Sequence, residues 1–195
     1  MNMYSRLNVK DLINVGLFTA IYFIVFFAVG MVGYIPVFMV ALPFLVPAVG
    51  GIPFMLYLTR VNKFGMVSLT GILVSLLMFA TGHGWIILAT GIPFAVFADL
   101  ILKSGDYASW NRTLLGYCVF SLWIYGAMLP MWIMRDSYFA AMREGYGDEY
   151  TNVLMGLMSG WMLPVLALLA VAGALTGAFI GRGTLKKHFT RAGIA

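Results

Sequence analysis

Few side chains in this sequence could do chemistry, and each stands nearly alone. Asp99 is essentially the one ionisable residue within an apolar run, near its inner end. A carboxylate placed there is costly in hydrocarbon, and by default it is a candidate for a proton or cation relay. Lys103 follows four residues later on the same helical face, near the end of the run, so the pair reads better as structural. An ion-coupled carrier would be expected to hold acidic groups near the bilayer midplane, and this chain has none. The two histidines are His83, in the turn Thr81-Gly82-His83-Gly84-Trp85, and His188, in a basic tail. Neither has a partner at metal-ligand spacing, and there are no paired aspartates and no phosphate-binding glycine loop. Cys118 is the only cysteine, so an internal disulfide and a thiolate metal cluster are both excluded. Within Tyr117-Cys118-Val119-Phe120 it reads as a small buried hydrophobe. The expectation is no catalytic residue, no metal, no cofactor and no enzyme.

Binding groups are denser on one side. Tyr34, the His83-Trp85 turn, and the cluster Met131, Trp132, Met134, Tyr138, Phe139 and Met142 all fall at the same expected face. Tyr138, Phe139 and Met142 share one face of a helix, which predicts a short interfacial helix or lid within 136–143. Tyr146 and Tyr150 follow. A belt of aromatics at headgroup level is the plain account. The sharper one is a shallow aromatic-walled pocket in which Tyr34, His83, Trp85, Met131, Trp132, Arg135 and Tyr138 bind substrate. On that account Arg135 and Arg143 could meet a carboxylate, and the rings could stack on a flat heterocycle. One histidine is thin support for an axial haem ligand.

The elements that position these groups follow from composition. The 195 residues are 62% hydrophobic and 10% charged, against about 25% charged in a soluble domain. That excludes a soluble, disulfide-stapled or disordered chain. Six apolar runs, at 12–32, 37–58, 64–80, 85–102, 114–134 and 153–180, predict one all-α domain over residues 1–195 with six transmembrane helices. The first run is too long for a signal peptide and lacks a cleavage site, so it reads as a retained helix. The second, with Pro43, Pro47, Gly50, Gly51 and Pro53, is the one expected to kink.

The net charge of +5 reports topology and not nucleic acid. With the N-terminus inside, the inner segments hold Arg6, Lys10, Arg60, Lys63, Lys103, Arg112, Arg182, Lys186, Lys187 and Arg191 against three acidic residues. The outer loop 135–152 holds Arg135 and Arg143 against four acidic residues. Both termini are therefore expected in the cytoplasm. Asn111-Arg112-Thr113, a glycosylation pattern, falls on the inner side and is set aside.

Two stretches are flat. Gly16-Leu17-Phe18-Thr19-Ala20 is a small-xxx-small pattern that lets another helix approach, and Ala172, Gly173, Ala174, Gly177, Ala178 and Gly181 form a second such face.

Six spans, inside termini, the Gly16–Ala20 pattern and an outer pocket together resemble the substrate-binding S component of an energy-coupling factor (ECF) transporter. The resemblance is closest to the Trep-Strep family of bacterial integral membrane proteins. It is carried by 12–20, by Pro43-Phe44-Leu45-Val46-Pro47 with Gly50-Gly51-Ile52-Pro53-Phe54, by Thr81-Gly82-His83, and by Phe97-Ala98-Asp99-Leu100-Ile101. It implies a multi-pass protein of the bacterial cytoplasmic membrane that captures a micronutrient from outside. Such a protein docks on a membrane T subunit driven by two cytoplasmic ATPases and topples to carry its pocket inward. The docking face maps to Gly16 and Ala20. The first outer loop, 33–36, is short for a cap, so capping is expected from 135–152. The alternatives are a membrane enzyme or chaperone acting on lipid at the outer face through His83 and the loop carboxylates, and a small channel or scaffold.

Overall fold

The computed structural model describes residues 6–189. Helix α1, Val9–Gly30, opens on a capping box in which Asn8 and Asp11 each accept from the other's backbone N–H. A 3-10 turn, Met31–Tyr34, leads to the short α2, Pro36–Met39, and then to α3, Leu42–Leu58. Next come α4, Met66–Met78, running into a π-helical turn at Phe79–His83, and α5, Ile86–Lys103. Helix α6, Trp110–Ser121, continues through a 3-10 turn into α7, Tyr125–Met128, and α8, Pro130–Ile133. Helices α9, Arg135–Leu157, and α10, Met162–Thr184, follow, with a last π-helical turn at Leu185–Phe189. No strand occurs among the described residues.

Five segments are long and apolar enough to cross a membrane: Val9–Tyr34, Met66–His83, Ile86–Lys103, Trp110–Ile133 and Met162–Lys187. The remaining apolar helix, α3, has 17 residues, or about 25 Å at 1.5 Å per residue. The run expected as one helix over 37–58 is divided. Pro36 starts α2, and Pro43 sits in the first turn of α3, where a missing N–H is tolerated. Pro47 and Pro53 stay inside α3, and the Pro47 carbonyl accepts from Tyr117 Oη at 2.6 Å.

The ring contacts give the direction of each helix. Phe18 meets Tyr57, and Tyr22 meets Phe54, so α1 and α3 are antiparallel; Tyr22 meets Phe120 in α6 and Phe26 meets Trp123 in the turn that continues it, so α1 and α6 run alike. The start of α1 and the end of α10 therefore share one end of the bundle with the α3–α4 and α5–α6 loops. The expected basic residue Arg191 lies outside the described residues.

Helices α3 and α10 pack in parallel, backbone against backbone. A Cβ on Gly177 would come 2.7 Å from the Ala48 carbonyl oxygen, and one on Gly181 would come 2.6 Å from that of Gly51. The small-residue face of α10 is thus spent inside the fold. The Gly16 face of α1 is not: Gly16 and Ala20 are exposed, and a Cβ on Gly16 would meet nothing within 4 Å. Val15, Phe18 and Tyr22, on the other side of α1, enter the core.

Asp99 is fully buried and its role is structural. Its Oδ2 accepts from the backbone N–H of Gly65 and of Ser68, both at 2.9 Å, and from Ser68 Oγ at 2.8 Å. Its Oδ1 accepts from Tyr107 Oη at 2.8 Å. The carboxylate therefore caps the start of α4 from a neighbouring helix, satisfying orphan N–H groups at a positive dipole end. Lys103, the expected partner, places Nζ 5.0 Å from the centre of the Phe64 ring. Burial and then the Asp99 charge push the Tyr107 hydroxyl up, which keeps it a donor.

Candidate functional site: a lidded aromatic cavity

The segment expected as a short helix within 136–143 is longer and bent. Helix α9 contains Gly147 at φ +81 and ψ 171, a conformation that only glycine adopts readily. There the helix folds back into a hairpin. Arg135 Nη1 donates to the Met158 carbonyl at 2.8 Å, and Nη2 to that of Met155 at 3.0 Å. Arg143 Nη2 donates to Asn152 Oδ1 at 2.9 Å, and Nε lies 3.5 Å from Asp148 Oδ1. Both arginines tie one arm to the other.

The hairpin is seated on its own hydrophobic core, where Phe139, Met142, Leu154 and Met158 pack with Met128, Met131 and Met162. It also grips the first turn of the chain. Tyr150 Oη donates to the Gly33 carbonyl at 2.6 Å, and Tyr146 stands 5.9 Å from Tyr34 and 4.9 Å from Tyr150, ring to ring.

Beneath it lies a cavity of about 230 Å³. Its walls are Phe26, Phe27 and Tyr34 from the first segment, His83 from the π-helical turn, Ile124 from the 3-10 turn after α6, Met128 from α7, and Tyr138, Met142, Tyr146 and Tyr150 from the hairpin. Met31, Met39 and Leu42 complete the rim. Burial pushes the Tyr138 hydroxyl up to about 12 and raises that of Tyr150, so both stay protonated.

Of the expected binding residues, Tyr34, His83 and Tyr138 come together on this cavity. The other four do not line it. Trp85 is 62% exposed on the outside. Met131 is fully buried in the core under the hairpin. Trp132 spends its Nε1–H on the Ser159 carbonyl at 3.1 Å. Arg135 is a brace whose guanidinium also covers the Phe139 ring at 5.1 Å. Phe26, Met128, Tyr146 and Tyr150 line the cavity without having been expected there. The closely spaced tyrosines Tyr146 and Tyr150, which stack across the Gly147 bend, were the available signal. No group of three or more metal-ligating side chains occurs among the described residues.

The chain matches no curated protein and no solved structure. A family model described as "Hypothetical bacterial integral membrane protein (Trep_Strep)" matches residues 9–191. With that match over nearly its whole length, and with five helices fit to cross a bilayer, the chain belongs to the Trep_Strep family of bacterial integral membrane proteins.

Proposed function

We propose that this protein is the substrate-binding S component of an ECF-type importer, with six spans and both termini in the cytoplasm. The observation that carries this reading is the pairing of two features. A lidded cavity sits at one end of the bundle, and an unoccupied small-residue face sits on the outside of α1.

Charge supports the orientation. The basic residues from Arg6 and Lys10 through Arg60, Lys63, Lys103 and Arg112 to Arg182 belong to the end opposite the cavity, and the positive-inside rule supports an inside location for that end. The cavity then faces outward, where it captures a small molecule. Toppling is supported by the apolar flanks: no Asp, Glu, Lys or Arg occurs in 12–59, 64–98, 113–134 or 150–181. Each charge moved through the bilayer centre would add at least about 2.5–3.5 kcal/mol. On this reading the energy comes from a T subunit and its two ATPases.

The test is uptake and ligand binding measured side by side in Gly16→Leu and Ala20→Leu. Uptake lost with binding intact supports the reading. Uptake retained in both variants removes it.

A further inference from the structure

The lining of the cavity carries no Asp, Glu, Lys or Arg. The two arginines nearest it are committed to bracing the hairpin, Arg135 on backbone carbonyls and Arg143 on Asn152 and Asp148. An ion entering this half-open cavity would lose part of its hydration without gaining a counter-charge, an unfavourable exchange.

Beside the hydroxyls of Tyr34 and Tyr146, three polar side chains of the lining have defined roles. Thr81 Oγ1 donates its single proton to the Met78 carbonyl at 2.9 Å, so in its 3.2 Å contact with His83 Nδ1 the ring is the donor. The neutral imidazole then offers Nε2 as an acceptor. Tyr150 is occupied by Gly33. Tyr138 supplies a hydroxyl that stays protonated and is a donor. Between them stand flat walls, Phe26, Phe27 and Tyr146, and the polarizable thioethers of Met128 and Met142, surfaces that suit a ring. The volume of about 230 Å³ falls below the range of roughly 300–1,000 Å³ typical of pockets for drug-sized ligands.

We infer that the cavity selects an uncharged, flat ligand of one or two rings, with an N–H or O–H donor for His83 and an acceptor for Tyr138. This inference rests on the substrate-binding reading above. Among the micronutrient classes open at the outset, it favours a neutral heterocycle or base and disfavours a tetrapyrrole with ionised carboxylates.

The test uses the full chain in lipid nanodiscs and three probes built on one naphthalene ring, one neutral, one anionic and one cationic: 2-naphthamide, 2-naphthoate and 2-naphthylmethylammonium. Equilibrium dialysis should show the amide bound at least tenfold more tightly than either ion. Tyr138→Phe and His83→Leu should each weaken the amide about three- to tenfold, the worth of one hydrogen bond, and His83→Gln, which restores an acceptor, should recover part of the loss. No binding of the amide, equal or tighter binding of either ion, or stoichiometric capture of haem overturns the inference. Such a result together with uptake lost in Gly16→Leu would overturn the ligand class alone. Uptake retained in Gly16→Leu, with the amide preference intact, would overturn the importer reading alone.

Discussion

Tyr150 and Gly33, 117 residues apart in the chain, are joined by a hydrogen bond of 2.6 Å from the tyrosine hydroxyl to the glycine carbonyl. This contact ties the hairpin to the turn after α1 and makes two distant segments into one cover over the cavity. Tyr150→Phe removes the bond and keeps the ring. Its expected effect is a loss of about 0.5–1.5 kcal/mol in lid closure. Hydrogen exchange should rise in 31–34 and 148–157, and bound ligand should dissociate about three- to tenfold faster, with the bundle unchanged.

Gly147 is the hinge of that cover. At φ +81 and ψ 171 any other residue is strained, by about 1–3 kcal/mol. Gly147→Ala should therefore loosen the two arms from each other. The Arg143–Asn152 bond should be lost, and ligand affinity should fall while α1 still docks. Hydrogen exchange across 135–157, compared with exchange across α5, checks this.

Asp99 provides a prediction about stability and not about coupling. Asp99→Asn replaces an acceptor-only group with one that sets an amide N–H₂ against the donors of Gly65 and Ser68. Hydrogen bonds to a charged group contribute about 1.5–3 kcal/mol each. The melting midpoint in detergent should drop by several degrees, and uptake per folded molecule should respond to a protonophore no differently in Asp99→Asn than in the parent protein.

The two glycine faces make a matched pair. Gly177→Ala forces a methyl group against the α3 backbone near Ala48 and should cost at least about 1–3 kcal/mol of stability. Gly16→Ala meets open space, and should leave the melting midpoint unchanged or raise it through better helix propensity, by up to about 1 kcal/mol. Thermal melts of both variants in one detergent decide the matter.

The apolar runs made the helices legible, because charge is absent from them and lies at their ends. They did not reveal where a helix divides. In 37–58 the break fell before Pro43, since the chain uses that proline to begin α3 and not to kink it. The outer loop was legible as a place where something helical and aromatic sits. Its hairpin was hidden, because Gly147 is one of many glycines and nothing local distinguishes its positive φ. The candidate site shows the same limit on a finer scale. Sequence sorts residues by end of the bundle, and Tyr34, His83 and Tyr138 are indeed at the cavity end. It does not say which way each turns around its helix axis. Met131 turned into the core, Trp85 outward, and Arg135 toward backbone carbonyls. Asp99 was legible as structural, while its principal partners came from a loop and a helix start 31 to 34 residues away.

The central claim is that α1 carries a docking face separate from the binding cavity. The most direct measurement is uptake by cells expressing the T subunit, both ATPases and either the parent chain or Gly16→Leu, with ligand binding measured on the same purified chains. The account predicts uptake reduced to background in Gly16→Leu, no co-purification with the T subunit, and undiminished ligand binding. Uptake at the parental rate, or binding and uptake lost together from a well-folded variant, would contradict it.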